Sequence, residues 1–127
     1  MTPEVEAAIH EVKQVFPGHV VEVTPEPQGG AYVVVHDLSI GSQYAPTTTW
    51  IGFLITFQYP FADVYPHFVA PDLGRTDGTI HKAGITGPSP WNGRQALQVS
   101  RRSNHWSAAT DTAALKLAKV LEWLRSQ

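Results

Sequence analysis

The segment TTTWIGFLITFQ, residues 47–58, is the most strand-like part of the chain. Its β-branched and aromatic side chains suit a pleated, buried surface and predict a central strand of an antiparallel sheet. Before it, residues 19–24 alternate apolar and polar side chains, and residues 31–38 are rich in valine. The turn-forming run PEPQGG, residues 25–30, lies between those two segments and predicts a β-hairpin. Three consecutive strands are therefore expected.

Amphipathic helices are predicted on both sides of these strands. In the first, Thr2 suits the N-cap, Pro3 suits the first helical position, and Pro17-Gly18 ends the pattern. In the second, we expect Ser107 or Thr110 to be the N-cap. Its apolar stripe consists of Ala114, Leu117, Val120, Leu121 and Leu124, and the side opposite the stripe carries Lys116, Lys119 and Glu122.

Residues 59–94 differ in composition from the rest of the chain, because they contain half of the ten prolines and half of the ten glycines. Helix is almost excluded there. Phe68-Val69 could form a short edge strand, and the remainder predicts a long ordered loop, which is where functional sites concentrate. Residues 95–100 (QALQVS) are ambiguous between a strand and a helical turn. The fold class is α+β: an N-terminal helix, an antiparallel meander of three to four strands, a long Pro/Gly-rich loop and a C-terminal helix.

Length and composition exclude several classes of protein. With 127 residues, 43% hydrophobic, 16% charged and a formal charge of -2, the chain fits one globular domain and not a strongly basic nucleic-acid binder. The absence of cysteine excludes a disulfide framework and a thiol nucleophile in this chain. The acidic N-terminal segment and the lack of a long apolar run predict a cytoplasmic protein without a membrane span.

Two short motifs carry a resemblance to a known family. Tyr59-Pro60-Phe61 directly follows the third predicted strand, and Gly78-Thr79-Ile80-His81 comes later in the Pro/Gly-rich loop. In their order and position they resemble the Tyr-Pro-Phe and Gly-x-Ile-Cys motifs of the ubiquitin-conjugating enzyme (UBC/RWD-like) superfamily. Trp91, which follows the second motif, resembles a tryptophan that is common at that place in the family. His81 stands where those enzymes carry the cysteine that accepts the ubiquitin-like protein. The Asn of the family's His-Pro-Asn element is also missing near residues 71–73.

The resemblance implies a non-catalytic, bacterial-type member of the superfamily with a single domain over residues 1–127. Its vestigial site would be His81 with Gly78 and Ile80, and its partner would be a conjugating enzyme, an activating enzyme or a ubiquitin-like modifier. It also suggests a place in a bacterial ubiquitin-like conjugation system linked to antiphage defence. No cofactor, nucleic acid or membrane partner is expected. The candidate partner-binding residues are Tyr59, Phe61, Trp91, Arg101, Arg102 and Trp106.

Two other functions stay open at this point. The first is a small enzyme in which His81, with Asp77 or His67, performs acid–base chemistry, since histidine titrates near neutral pH. The second is a peptide-binding or homodimeric module unrelated to ubiquitin-like proteins, because tyrosine and proline surfaces can hold extended peptides. The six histidines show no metal-binding spacing, and no glycine-rich phosphate loop is present.

Overall fold

A computed structural model describes all residues, 1–127, and has two helices and eight strands. The helices are α1 (Pro3–Val15) and α2 (Ala113–Arg125). The strands are β1 (Val21–Pro25), β2 (Ala31–Ser39), β3 (Tyr44–Ala45), β4 (Thr48–Ile55), β5 (His67–Val69), β6 (Gly74–Arg75), β7 (Ile85–Trp91) and β8 (Arg94–Val99). This layout confirms the predicted α+β class with a helix at each end of the chain.

Six of the strands form one antiparallel sheet in the order β1-β2-β4-β5-β8-β7. Alternate residues of these strands point to the side on which α1 and α2 pack, and one apolar cluster of 26 buried residues joins them to both helices. We call this side the inner face and the opposite side the outer face. Strands β3 and β6 pair separately, and the Tyr44 hydroxyl donates to the Leu124 carbonyl of α2.

Both helices begin with a threonine cap. The Thr2 hydroxyl accepts the Val5 N–H at 3.1 Å, and Pro3 is the first helical residue, which confirms the prediction for α1. The predicted cap of α2 was wrong, because Thr112, and neither Ser107 nor Thr110, accepts the Leu115 N–H. A threonine hydroxyl at this position satisfies one of the N–H groups that the first helical turn leaves free.

The Pro/Gly-rich segment contains more strand than its composition predicts. Strand β7 includes Pro88 and Pro90. Both prolines are tolerated because β7 lies at the edge of the sheet and its pairing with β8 is interrupted by a register shift. Phe68 and Val69 do form a strand, but β5 lies between β4 and β8 and is not an edge. The ambiguous residues 95–100 belong mostly to strand β8. The sheet therefore exceeds the expected three to four strands.

Candidate functional site

The Tyr59-Pro60-Phe61 motif is anchored by hydrogen bonds at its first two residues and ends in an exposed ring. The Tyr59 side chain is buried, and its hydroxyl accepts the Ala113 N–H at 3.2 Å. Burial raises the pKa of this phenol. The Pro60 carbonyl accepts the Trp106 indole N–H at 2.7 Å, and the two rings of Tyr59 and Trp106 meet edge to face. The next side chain, Phe61, is 82% exposed.

An open groove of about 480 Å³ borders this segment, and we call it the aromatic groove. Phe57 and Phe61 are its two exposed large apolar side chains. Glu4 at the start of α1 supplies its one charged group. Its lining residues are Glu4, Phe57, Gln58, Tyr59, Pro60, Phe61 and Ala62. The groove thus presents two exposed phenylalanine rings together with a single acidic residue.

A second hollow, of about 370 Å³, is basic, and we call it the arginine pocket. The segment before α2 forms one side of it and α2 forms the other. The Arg101 guanidinium lies 4.8 Å above the Trp123 ring, and Arg102 lies 4.9 Å above Tyr65. The lining residues are Arg101, Arg102, Ser103, Asn104, His105, Asp111, Lys116, Lys119, Val120 and Trp123.

Two residues of the pocket lining, Ser103 and Lys116, form an ionic cluster with Asp63, in which Lys116 is buried and Asp63 is partly exposed. The Lys116 ammonium donates to both carboxylate oxygens of Asp63, at 3.1 and 3.2 Å, and to the Ser103 hydroxyl at 2.7 Å. Ser103 also donates its N–H and hydroxyl to Asp63. Burial opposes ionisation of Asp63, but these hydrogen bonds and the ion pair outweigh it and hold the pKa below its ordinary value.

This cluster corrects the prediction that Lys116 belongs with Lys119 and Glu122 on the polar side of α2, because its side chain is only 5% exposed. A buried ammonium requires a partner, and Asp63 supplies it from 53 residues away in the chain. Helical periodicity does not contain that information. None of the sites predicted from the sequence includes this cluster, because its three residues come together only in the folded chain.

His67 lies next to this cluster on the inner face of β5 and is fully buried. Neither ring nitrogen has a hydrogen-bond partner in the protein, and the ring lies 5.2 Å from that of Phe53. Burial, reinforced by the nearby Lys116 charge, lowers the pKa of His67 to about 3. A buried imidazole that stays neutral at pH 7 is poorly suited to the acid–base role that was considered for it.

The His81 loop contains no arrangement for proton transfer with the other expected partners. The His81 Nε2 donates to the Leu73 carbonyl at 2.7 Å, while Nδ1 is buried without a hydrogen-bond partner in the protein. Asp77 instead accepts the N–H and hydroxyl of Thr79 within its own turn. In the same loop, the Ile80 side chain is 90% exposed, and Gly78 adopts a positive φ of 77°. His81 is thus held by one hydrogen bond to a backbone carbonyl in an otherwise exposed loop.

Trp91 is separated from the other predicted partner-binding residues. It lies on the outer face, stacked on Phe68 at 4.8 Å and on Trp50 at 6.2 Å, with the Tyr32 ring at its edge. By contrast, the predicted residues Tyr59, Phe61, Arg101, Arg102 and Trp106 belong to the aromatic groove, to the arginine pocket or to the link between them. Five of the six predicted residues therefore lie at the groove, at the pocket or between them, and Trp91 lies apart from them on the outer face.

No family model, curated protein or solved structure matches the chain. No group of three or more histidine and carboxylate side chains is arranged to hold a metal ion. Neither helix is long and apolar enough to cross a membrane.

Proposed function

We propose that this chain is a non-catalytic adaptor of the ubiquitin-conjugating-enzyme-like class, which binds a protein component of a ubiquitin-like conjugation system. The proposal takes its class from the motifs Tyr59-Pro60-Phe61 and Gly78-Thr79-Ile80-His81. At the position of the family's reactive cysteine, this chain offers the imidazole of His81, whose Nε2 is engaged by the Leu73 carbonyl. An accepting thiol is the one group that thioester chemistry requires at that place.

The observation that carries the proposal is the contrast within one tripeptide. Tyr59 and Pro60 are held by hydrogen bonds to Ala113 and Trp106, whereas the adjacent Phe61 ring is left in solvent. Exposing a phenylalanine on a rigid segment forgoes about 1.5–3 kcal/mol of burial free energy. A partner that covers the ring recovers this free energy, and a pre-ordered segment loses little conformational entropy on binding.

The aromatic groove extends this contact beyond one ring. Phe57 lies in the same groove and is 47% exposed, so a partner that fills the groove can bury both phenylalanines. Aromatic anchors at the centre of an interface commonly contribute most of its binding free energy. We propose that the occupant is a cysteine-bearing conjugating enzyme, an activating enzyme or a ubiquitin-like modifier. In this proposal the complex forms in the bacterial cytoplasm as part of a conjugation system used in antiphage defence.

Affinity purification of three tagged proteins from the native host tests this function: the wild type, Phe61→Ser, and Val20→Ser as the matched control. Val20 is also apolar and 68% exposed, and it lies in the connection between α1 and β1, outside the lining of the aromatic groove. Co-purifying chains are identified by mass spectrometry, and the captured component is then titrated against each purified variant. We expect Phe61→Ser to weaken binding by at least about tenfold and Val20→Ser to leave it unchanged.

The identity of the captured chain decides the class, and the variants decide the surface. Recovery of one of the three named components, lost in Phe61→Ser and retained in Val20→Ser, supports the proposal. Recovery of none of them, or equal recovery with Phe61→Ser, overturns it. Both substitutions are at exposed positions, so circular dichroism should show unchanged folding.

A further inference from the structure

The arginine pocket has more positive charge than its own carboxylates neutralise. Lys116 is paired with Asp63, and the Lys119 ammonium lies 3.7 Å from the Asp111 carboxylate. No ion pair is formed by either arginine of the pocket. Two guanidinium charges therefore remain uncompensated in one hollow of a chain whose formal net charge is -2. Such a local excess of one sign raises the concentration of oppositely charged ligands.

The two guanidinium groups are also pre-positioned. Arg101 lies over the Trp123 ring and Arg102 over the Tyr65 ring. Stacking fixes the plane of a guanidinium while leaving N–H donors at its edge, and this fork matches the oxygens of a phosphate.

We propose that the arginine pocket is a binding site for the dianionic phosphate group of a phosphomonoester. Two uncompensated positive charges match a dianion, and Asn104 and His105 add polar side chains to the same lining. The hollow, about 370 Å³, has room for part of the group that carries the phosphate. This site is separate from the aromatic groove, and the proposal does not depend on the adaptor function.

Lys116 serves this site as a positioning residue. Its ammonium directs hydrogen bonds to Asp63 and Ser103, three in all, which exhausts its donors. It therefore has none to offer a ligand. Instead, the ionic cluster ties Ser103 to α2 and so holds the segment that carries both arginines next to that helix. Loss of this anchor should weaken phosphate binding without removing a contact to it.

The test is a titration of the ¹⁵N-labelled protein with inorganic phosphate at constant ionic strength, followed by amide and indole NMR signals. We expect saturable shifts at residues 101–105 and at the Trp123 indole. Arg101→Ala and Arg102→Ala should each raise Kd by about tenfold or more, since hydrogen bonds between charged groups are strong. The matched control is Arg94→Ala, because Arg94 also stacks on a tryptophan, Trp50 at 5.2 Å, but is paired with Glu22 at 2.7 Å. Its Kd should stay unchanged.

Three results would overturn the proposal: shifts that do not saturate, shifts spread over basic residues throughout the surface, or an unchanged Kd in the Arg101→Ala/Arg102→Ala double variant. Acetate, a monoanion, should bind more weakly than phosphate, and equal binding would also contradict a dianion site. Two further probes distinguish the sources of the phosphate group. Tighter binding of a capped phosphoserine tripeptide than of inorganic phosphate indicates a phosphorylated protein segment, whereas tighter binding of ribose 5-phosphate indicates a small metabolite.

Discussion

The two faces of the six-stranded sheet differ in what covers them and in which side chains they hold. Between the inner face and the two helices, Lys116 of α2 and the His67 imidazole of β5 are buried. The outer face, which neither helix covers, holds the stacked rings of Trp50, Phe68 and Trp91. An ion pair with Asp63 permits burial of the Lys116 charge, whereas His67 is buried without a hydrogen-bond partner and stays neutral. On the outer face, the rings partly cover one another by stacking.

The largest effect is expected from breaking the ionic cluster of the inner face. Lys116→Met leaves the Asp63 carboxylate without its counterion, and we expect a loss of about 3 kcal/mol in unfolding free energy, the low end for such pairs because Asp63 is partly exposed. Urea unfolding followed by circular dichroism measures it. Lys119→Met is the control, because its ion pair is exposed and should contribute less than about 1 kcal/mol. Equal losses in the two variants would contradict a buried cluster.

The next effect concerns the other polar group of the inner face and depends on pH. The pKa of His67 is about 3, below its ordinary value of 6.5, so the unfolded chain binds a proton that the folded protein does not. Protonation of His67 therefore does not reduce the unfolding free energy well above pH 6.5, but it does so as the pH drops toward 3. In the range where only the unfolded chain carries the proton, the loss is about 1.4 kcal/mol per pH unit. Between pH 7 and about 4.5 the loss amounts to roughly 2.5 kcal/mol.

His67→Leu should remove this part of the pH dependence, because leucine fills the same apolar surroundings without titrating. Urea unfolding at several pH values between 7 and 4.5 measures the difference in slope. Asp63, whose pKa is lowered, contributes only below its ordinary value of 3.8 and does not interfere in that range. His10→Gln, at an exposed position of α1, controls for the general effect of losing a histidine. An unchanged slope in His67→Leu would contradict a neutral buried imidazole.

The smallest of the three effects is on the outer face. Gly52 has no Cβ, and a Cβ at this position would collide with the Trp91 ring. Gly52→Ala should therefore displace Trp91 from its stack and lower stability by about 1–2 kcal/mol. Thermal unfolding and the near-ultraviolet circular dichroism of the tryptophans measure this change. Gly74→Ala is a matched control in strand β6, where the nearest atom to an added Cβ is 3.8 Å away. Equal melting temperatures would show that the stack tolerates the methyl group.

The secondary-structure elements that are determined by their own local sequence were predicted well. The cap of α1, the hairpin of β1 and β2, and strand β4 follow from threonine, turn residues and β-branched runs. Strand β7 was missed because Pro88 and Pro90 are unfavourable in a strand unless its position at the sheet edge is known, and edge position is a property of the whole fold. For the same reason β5 was assigned to an edge, although β8 pairs with its far side.

The candidate site was predictable only in part. Phe61, Arg101 and Arg102 attract notice in the sequence as an aromatic ring after a strand and as a pair of basic residues. Their division between a groove and a pocket depends on hydrogen bonds between distant segments, such as that from Trp106 to Pro60. The ionic cluster gave no signal at all, because Asp63 and Lys116 look like ordinary surface charges until the chain is folded.

The prolines of β7 also affect how the molecule can associate with copies of itself. An exposed strand normally offers N–H and C=O groups to which another strand can add, and this is a common route to aggregation. Pro88 and Pro90 have no N–H, so the outward side of β7 is a poor template for strand addition. Continuation of the sheet into a second molecule is therefore disfavoured at β7, and β1 is left as the other edge of the sheet.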